Sequence, residues 1–202
     1  MLKIYKIIEN TKVEGPGNRF CIWTQGCRKH CIGCFAKDTW DFNGGNFYSI
    51  KDLFTQIKAT PNIEGVTYLG GEPFEQAKPL YKLSKLIKKE TNLSIVCFTG
   101  YTLEELHNKK DQSTTLLLEN IDLLIDGGFE QENFDISRPW IGSSNQKYHF
   151  LTNFYNQTQI NNYKNKIEAR ISQDGKLEIN GMGNFEKLNK KFYLQLGKNI
   201  VK

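Results

Sequence analysis

The sequence predicts an α/β fold in which a parallel sheet is covered by helices. Three observations carry this. Strand-like and helix-like segments alternate along residues 65–125. The strands are short apolar runs, the pattern of a buried parallel sheet. Glycines and polar residues follow directly on three strand ends, at Gly70–Pro73, Thr99–Tyr101 and Asp126–Gly128. Ligands of parallel α/β folds bind at the carboxyl ends of strands, so three such endings imply one shared mouth.

In chain order, residues 2–9 (LKIYKIIE) read as a strand with mixed alternation. Glu14-Gly15-Pro16-Gly17 is a turn, and residues 19–24 (RFCIWT) are a second strand. Residues 25–35 form a cysteine-rich loop, and Asn43-Gly44-Gly45 is another turn. Ser49 caps a helix over 50–59, with Asp52 favourable to the dipole of its first turn. Residues 65–69 (GVTYL) are a buried strand that runs into Gly70-Gly71-Glu72-Pro73. Residues 77–90 make an amphipathic helix with Leu80, Leu83, Leu86 and Ile87 on one stripe. The strand 94–98 (SIVCF) follows, then a helix opening at Thr102 with a capping-box pattern to Glu105, then the strand 121–125 (IDLLI).

The tail differs in composition. Residues 153–166 are Asn/Gln-rich and read as a linker or loose helix. Residues 167–181 read as a hairpin about Gln173-Asp174-Gly175, and 183–195 as a short helix. The expected division is a main domain over 1–150 and an extension over 151–202, without internal repeats.

The 202 residues, 39% hydrophobic and 24% charged, suit one domain with a small appendage. The net charge of +5 (27 basic, 22 acidic residues) is spread out. Lys85, Lys88 and Lys89 read as the wet face of a helix, and the dense basic stripe of a nucleic-acid groove is missing. The stretch Met1–Lys6 lacks the apolar core of a signal peptide, and no apolar run approaches the roughly 20 residues of a membrane helix. A cytoplasmic chain with neither membrane nor nucleic-acid partner is expected. In that reducing compartment five cysteines, four of them between positions 21 and 34, argue for metal binding or catalysis over disulfides.

Cys27, Cys31 and Cys34 have the spacing C-x3-C-x2-C. Three thiolates within eight residues can fold around one small object. Structural zinc wants four ligands in paired knuckles, and the second pair is missing. Cys21 and Cys97 lie in apolar strands and read as core residues. His30 reads as a solvent-facing loop residue. Three ligands on a four-iron cluster would leave one iron open to bind a substrate. On the residues alone, zinc stays open as an alternative.

The cysteine loop followed by a strand ending in Gly70-Gly71-Glu72-Pro73 resembles the radical S-adenosylmethionine superfamily. The resemblance implies a [4Fe–4S] cluster on Cys27, Cys31 and Cys34, whose open iron binds the amino and carboxylate groups of S-adenosylmethionine. Gly70, Gly71, Glu72 and Pro73 would lie along the amino group. Glycines permit close backbone approach, and a carboxylate offsets an ammonium. Further blocks resemble the activating enzymes of anaerobic ribonucleotide reductases: Glu14–Arg19, Gln25–Cys27, Gly33–Phe35, Thr39-Trp40, Thr99–Leu106, Asp126–Phe129 and Trp140–Gln146. This likeness covers about residues 1–150 and implies a partial (β/α) barrel.

It also implies the chemistry. One electron from the reduced cluster cleaves the sulfonium to methionine and a 5′-deoxyadenosyl radical. That radical takes a hydrogen atom from a glycine of a partner protein, with a flavodoxin-like protein as electron donor. No acid–base pair is required, no hydrolytic triad is evident, and His107 and His149 read as structural or surface residues. Many superfamily members carry an aromatic residue before the third cysteine; here it is Gly33, which leaves adenine to Phe35 or another aromatic. Gly33, Cys34 and Phe35 are expected on the nucleoside side, with Thr99, Tyr101 and Asp126 towards the ribose. Trp140 is either a wall of the mouth or a core anchor, and Gly142–Gln146 shapes the mouth or the partner surface. Two alternatives stand: the same chemistry on another glycyl radical enzyme or a peptide, and a non-catalytic iron–sulfur or zinc module.

Overall fold

Short runs of β-branched and aromatic residues form the strands, and their two-residue period assigns each side chain to one face of the sheet. The computed structural model of the chain describes residues 1–183. Four parallel strands make the centre of the main sheet: β2 (Arg19–Thr24), β4 (Gly65–Gly70), β5 (Ser94–Phe98) and β6 (Leu123–Asp126). Three antiparallel strands flank them. β1 (Leu2–Thr11) pairs with β2, β3 (Asn46–Tyr48) with β1, and β7 (Lys147–Phe150) with β6. The order is β3-β1-β2-β4-β5-β6-β7.

The sheet is therefore mixed, where the sequence led us to expect a parallel one. The reason lies in the connections. Residues 12–18 join β1 to β2 without a helix, and a parallel pairing needs a crossover of about a dozen residues or more. Only the segments that contain α1 (Ile50–Ala59), α2 (Ala77–Glu90), α3 (Leu103–Asn108) and α4 (Gln112–Leu118) return the chain parallel.

These helices cover one face. Leu53 and Ile57 of α1, Leu80, Leu83 and Ile87 of α2, Leu106 and Leu117 pack on Phe20, Ile22, Val66, Tyr68, Ile95 and Leu124. Each fully buried aliphatic side chain contributes about 1.5–3 kcal/mol. Caps fix the helix starts: Ser49 Oγ accepts from Asp52 N at 3.0 Å, and Thr102 and Glu105 form a reciprocal capping box. The alternate residues Cys21, Trp23, Leu69, Val96, Leu123 and Ile125 face the other way, where Trp140, Ile141, Tyr155 and Ile160 cover part of them. Trp140 is 3% exposed and is thus a core anchor.

The Asn/Gln-rich stretch folds back onto the sheet. It contains α5 (Gln157–Asn161), and Tyr155 and Ile160 are buried. The Tyr155 hydroxyl donates to Glu64 Oε1 at 2.6 Å and accepts from buried Arg19 at 3.1 Å. β8 (Ile167–Ile171) and β9 (Leu177–Gly181) form a separate antiparallel pair. It is tied to the main body where Glu14 Oε1 accepts from Asn180 Nδ2 at 3.1 Å and Gly181 N at 2.7 Å. Most of the helix expected over 183–195 lies outside the described residues. No helix among the described residues is long and apolar enough to cross a membrane.

Candidate metal centre

The four parallel strands end at one edge, and each end opens into a loop rich in glycine. After β2, the chain turns at Gly26 (φ +98°) into the cysteine loop. Gly26 N donates to Thr39 O at 2.7 Å and Cys27 N to Trp40 O at 3.2 Å, which closes the loop at its base. Gln25 Nε2 braces it by donating to Asp41 O at 2.7 Å. His30 (φ +46°) is exposed and stacks on Trp40 at 4.5 Å between ring centroids.

The end of β4 is joined to this loop. Gly71 N donates to Thr24 O and Glu72 N to Gly26 O, both at 2.9 Å. A Cβ on Gly71 would collide with Gly26 O, so only glycine permits this approach. Glu72 is 1% exposed. Its Oε1 accepts from Phe74 N at 3.0 Å and Thr99 Oγ1 at 2.8 Å, and its Oε2 from Gly100 N at 2.8 Å. Burial raises its carboxyl from 4.5 to about 7, against the pull of those donors. A cation arriving beside it would favour the charged form.

Cys27, Cys31, Cys34, Gly70, Gly71, Glu72 and Thr99 line one cavity of about 150 Å³. Lys29, Trp40, Phe98, Phe129 and Gln146 line it too; of these, Gln146 belongs to the Gly142–Gln146 stretch expected to shape the mouth or the partner surface, and the other four carry no site expectation from the sequence. The other expected residues sit at its margin or elsewhere. Gly33 and Phe35 lie against Phe129, and Pro73 opens the buried turn after Glu72. The Tyr101 hydroxyl donates to Glu75 at 2.7 Å, and its ring carries Lys29 on one flank. Asp126 points elsewhere: Oδ2 accepts from Leu103 N at 2.6 Å and lies 2.8 Å from His149 Nε2, so it anchors the start of α3. Cys21 and Cys97 are fully buried in the sheet.

The donor set fits an iron–sulfur cluster. Each of the three sulfurs has a backbone donor: the Lys29 and His30 amides for Cys27, the Phe129 amide for Cys31, and Ala36 N at 3.4 Å for Cys34. Burial raises the Cys27 and Cys31 thiols above their ordinary value, and these amides counter it. Such N–H···S bonds stabilise thiolates and tune clusters. Among the described residues no three His, Cys, Asp or Glu side chains converge closely enough for a single ion.

Comparison with known proteins agrees with this chemistry. Residues 13–149 match the family described as a 4Fe-4S single cluster domain. Anaerobic ribonucleoside-triphosphate reductase-activating proteins are similar to this chain. The one from Vibrio cholerae is 37% identical over 151 residues, 69% of this chain and 92% of its own length. The one from Escherichia coli K12 is 36% identical over 150 residues, with the same shares. That of Enterobacteria phage T4 is 28% identical, over 67% of this chain and 85% of its own. A crystal structure of QueE from Escherichia coli aligns with a TM-score of 0.41 at 22% identity, over 50% of this chain and 53% of that one, too distant to argue from. The chain belongs to the 4Fe–4S single cluster family and, within it, to the anaerobic ribonucleoside-triphosphate reductase-activating proteins.

Proposed function

We infer that this protein is a radical S-adenosylmethionine enzyme that installs a glycyl radical on an anaerobic ribonucleotide reductase. The observation that carries the reading is the shared cavity of Cys27, Cys31, Cys34 and the Gly70–Glu72 strand end. In this reading the three cysteines hold a [4Fe–4S] cluster with one iron open. The chemistry supplied there, once cluster and S-adenosylmethionine are bound, is one-electron cleavage to methionine and a 5′-deoxyadenosyl radical able to take a hydrogen atom from glycine.

The chain's own residues bind, orient and exclude water. The backbone amides beside the three sulfurs would donate to them as cluster ligands. Gly70 and Gly71 admit the methionine moiety close to the backbone, and Glu72 meets its ammonium. Lys29, which pairs with Glu105 at 3.2 Å over the Tyr101 ring, adds positive charge at the rim. The fixed loop base and the strand-to-loop hydrogen bonds hold these groups in register, and geometry selects the bond a primary carbon radical attacks.

The mixed sheet with helices on one face supports the partial (β/α) barrel of this superfamily. The reading places the chain in the cytoplasm, where thiols stay reduced, with a flavodoxin-like protein as donor. The test is anaerobic: reconstitute with iron and sulfide, reduce, and add S-adenosylmethionine. Formation of 5′-deoxyadenosine by the native protein and its loss in Cys31→Ala are expected. No 5′-deoxyadenosine from the native protein would refute the reading.

A further inference from the structure

The loop between β6 and β7, residues 127–146, reaches one of the three cysteines from another part of the fold. The Phe129 amide donates to Cys31 Sγ, and a Cβ on Gly128 would stand 3.4 Å from the same sulfur. The loop is long and mostly irregular, with one short 3₁₀ turn at Gln131–Asn133. Side chains must therefore fix where its backbone lies.

Those side chains form one connected set. Gln146 Nε2 donates to Gly127 O at 2.9 Å and Asn145 Nδ2 to Gly128 O at 2.8 Å, which ties the two ends of the loop together. Arg138 ties its middle to the same end, donating to Gln146 O and Ser144 O, both at 3.0 Å. The middle is held in turn from outside the loop, by Asn165. Its Oδ1 accepts from Trp140 N at 2.7 Å, and its Nδ2 donates to Ile136 O and Arg138 O, both at 2.8 Å. A carboxamide carries both acceptor and donors, so one residue satisfies three backbone groups. Trp140 has φ +56°, a left-handed conformation that costs a residue with a Cβ and persists where its surroundings over-determine it. Its ring packs on Tyr163 of the same outside segment, 5.1 Å between centroids. Asn165 lies beyond residues 13–149, the part that matches the cluster family.

We propose that Asn165 is a positioning residue for the iron–sulfur centre: it holds the 127–146 loop so that the Phe129 amide meets Cys31, and so makes the segment after β7 a working part of the site. The proposal rests on the cluster reading above. An amide that donates to a ligand sulfur offsets the negative charge of the reduced cluster, so its displacement lowers the reduction potential. A residue that only stabilised the fold would leave the potential where it is.

The test uses the full chain and two readouts. Hydrogen–deuterium exchange at Phe129 is followed in the iron-free protein, and the midpoint potential is titrated after anaerobic reconstitution. Asn165→Ala is expected to speed exchange at Phe129 about tenfold, the scale of one or two lost hydrogen bonds, and to shift the potential to lower values. Tyr155→Phe is the control. It removes the hydroxyl that contacts Glu64 and Arg19 from the same segment, and it should leave both readouts native. If Asn165→Ala fails to load iron, Asn165→Asp carries the same comparison, since it keeps the acceptor for Trp140 N and loses both donors. Native exchange or a native potential in the Ala or Asp variant overturns the proposal alone, as does an equal change in Tyr155→Phe. Native protein that takes up no cluster overturns the cluster reading and the proposal with it.

Discussion

Replacing Glu14 by Gln tests how burial governs the attachment of the β8–β9 pair. Glu14 Oε1 accepts two of the hydrogen bonds that tie that pair to the main body, from Asn180 Nδ2 and Gly181 N; Glu168 accepts others from Thr11 Oγ1 and Lys12 N, and Arg170 donates to Asn10 O. A glutamine at position 14 can keep Oε1 in place and lose only the charge. Burial raises the Glu14 carboxyl from 4.5 to about 7, although the two donors and Lys6 lower it. A carboxyl with a higher value in the folded state binds more protons folded than unfolded. Its contribution is therefore fully present below about pH 4.5 and is lost as the pH rises towards 7. The gap of about 2.5 pH units, at about 1.36 kcal/mol each, sets a ceiling of about 3 kcal/mol. Urea unfolding at pH 5 and pH 8 measures it. Glu72 titrates in the same window, so the difference between native protein and Glu14→Gln isolates Glu14. The variant should gain stability relative to the native protein between pH 5 and pH 8. An unchanged difference would refute the reasoning.

Arg19 is fully buried and donates to Thr67 Oγ1, Ser94 Oγ, Tyr155 OH and Val66 O. Arg19→Met should cost about 3–5 kcal/mol in urea unfolding, with iron loading unchanged because Arg19 begins β2 and the cysteines follow its other end. Gly71→Ala forces a methyl onto Gly26 O; about 1–3 kcal/mol of overpacking strain and a lower iron content per chain are expected. Asp126→Asn removes the charge at the start of α3 and should lower stability by about 1 kcal/mol, while S-adenosylmethionine affinity by calorimetry stays within about twofold.

The helical stripe of Leu80, Leu83 and Ile87 and the apolar strands at 65–69 and 94–98 were legible because burial on one or both faces leaves a periodic trace. α4 left none: Leu116–Leu118 is a plain apolar run, and its cap at Asp111 sits among polar residues. β3 and β7 are edge strands of three and four residues, too short and too exposed for a period. Strand direction was hidden as well, since it follows from connection length and not from composition. At the site, the cysteines and the Gly70–Glu72 end carry their chemistry in their spacing. Gln146 lies in a stretch the sequence already pointed to the mouth, whereas Trp40, Phe98 and Phe129 reach the cavity only because the sheet brings separate loops together, which their spacing does not show. Asp126 shows the converse: a polar residue at a strand end that serves a helix start and not the mouth.

The most direct test of the account mixes the reduced, reconstituted protein and S-adenosylmethionine with an anaerobic ribonucleotide reductase under argon and records the electron paramagnetic resonance spectrum. A glycyl radical doublet on the reductase, absent when Cys27→Ala replaces the native protein, is the predicted result. Turnover of S-adenosylmethionine with no doublet on the reductase would contradict the assignment of the target.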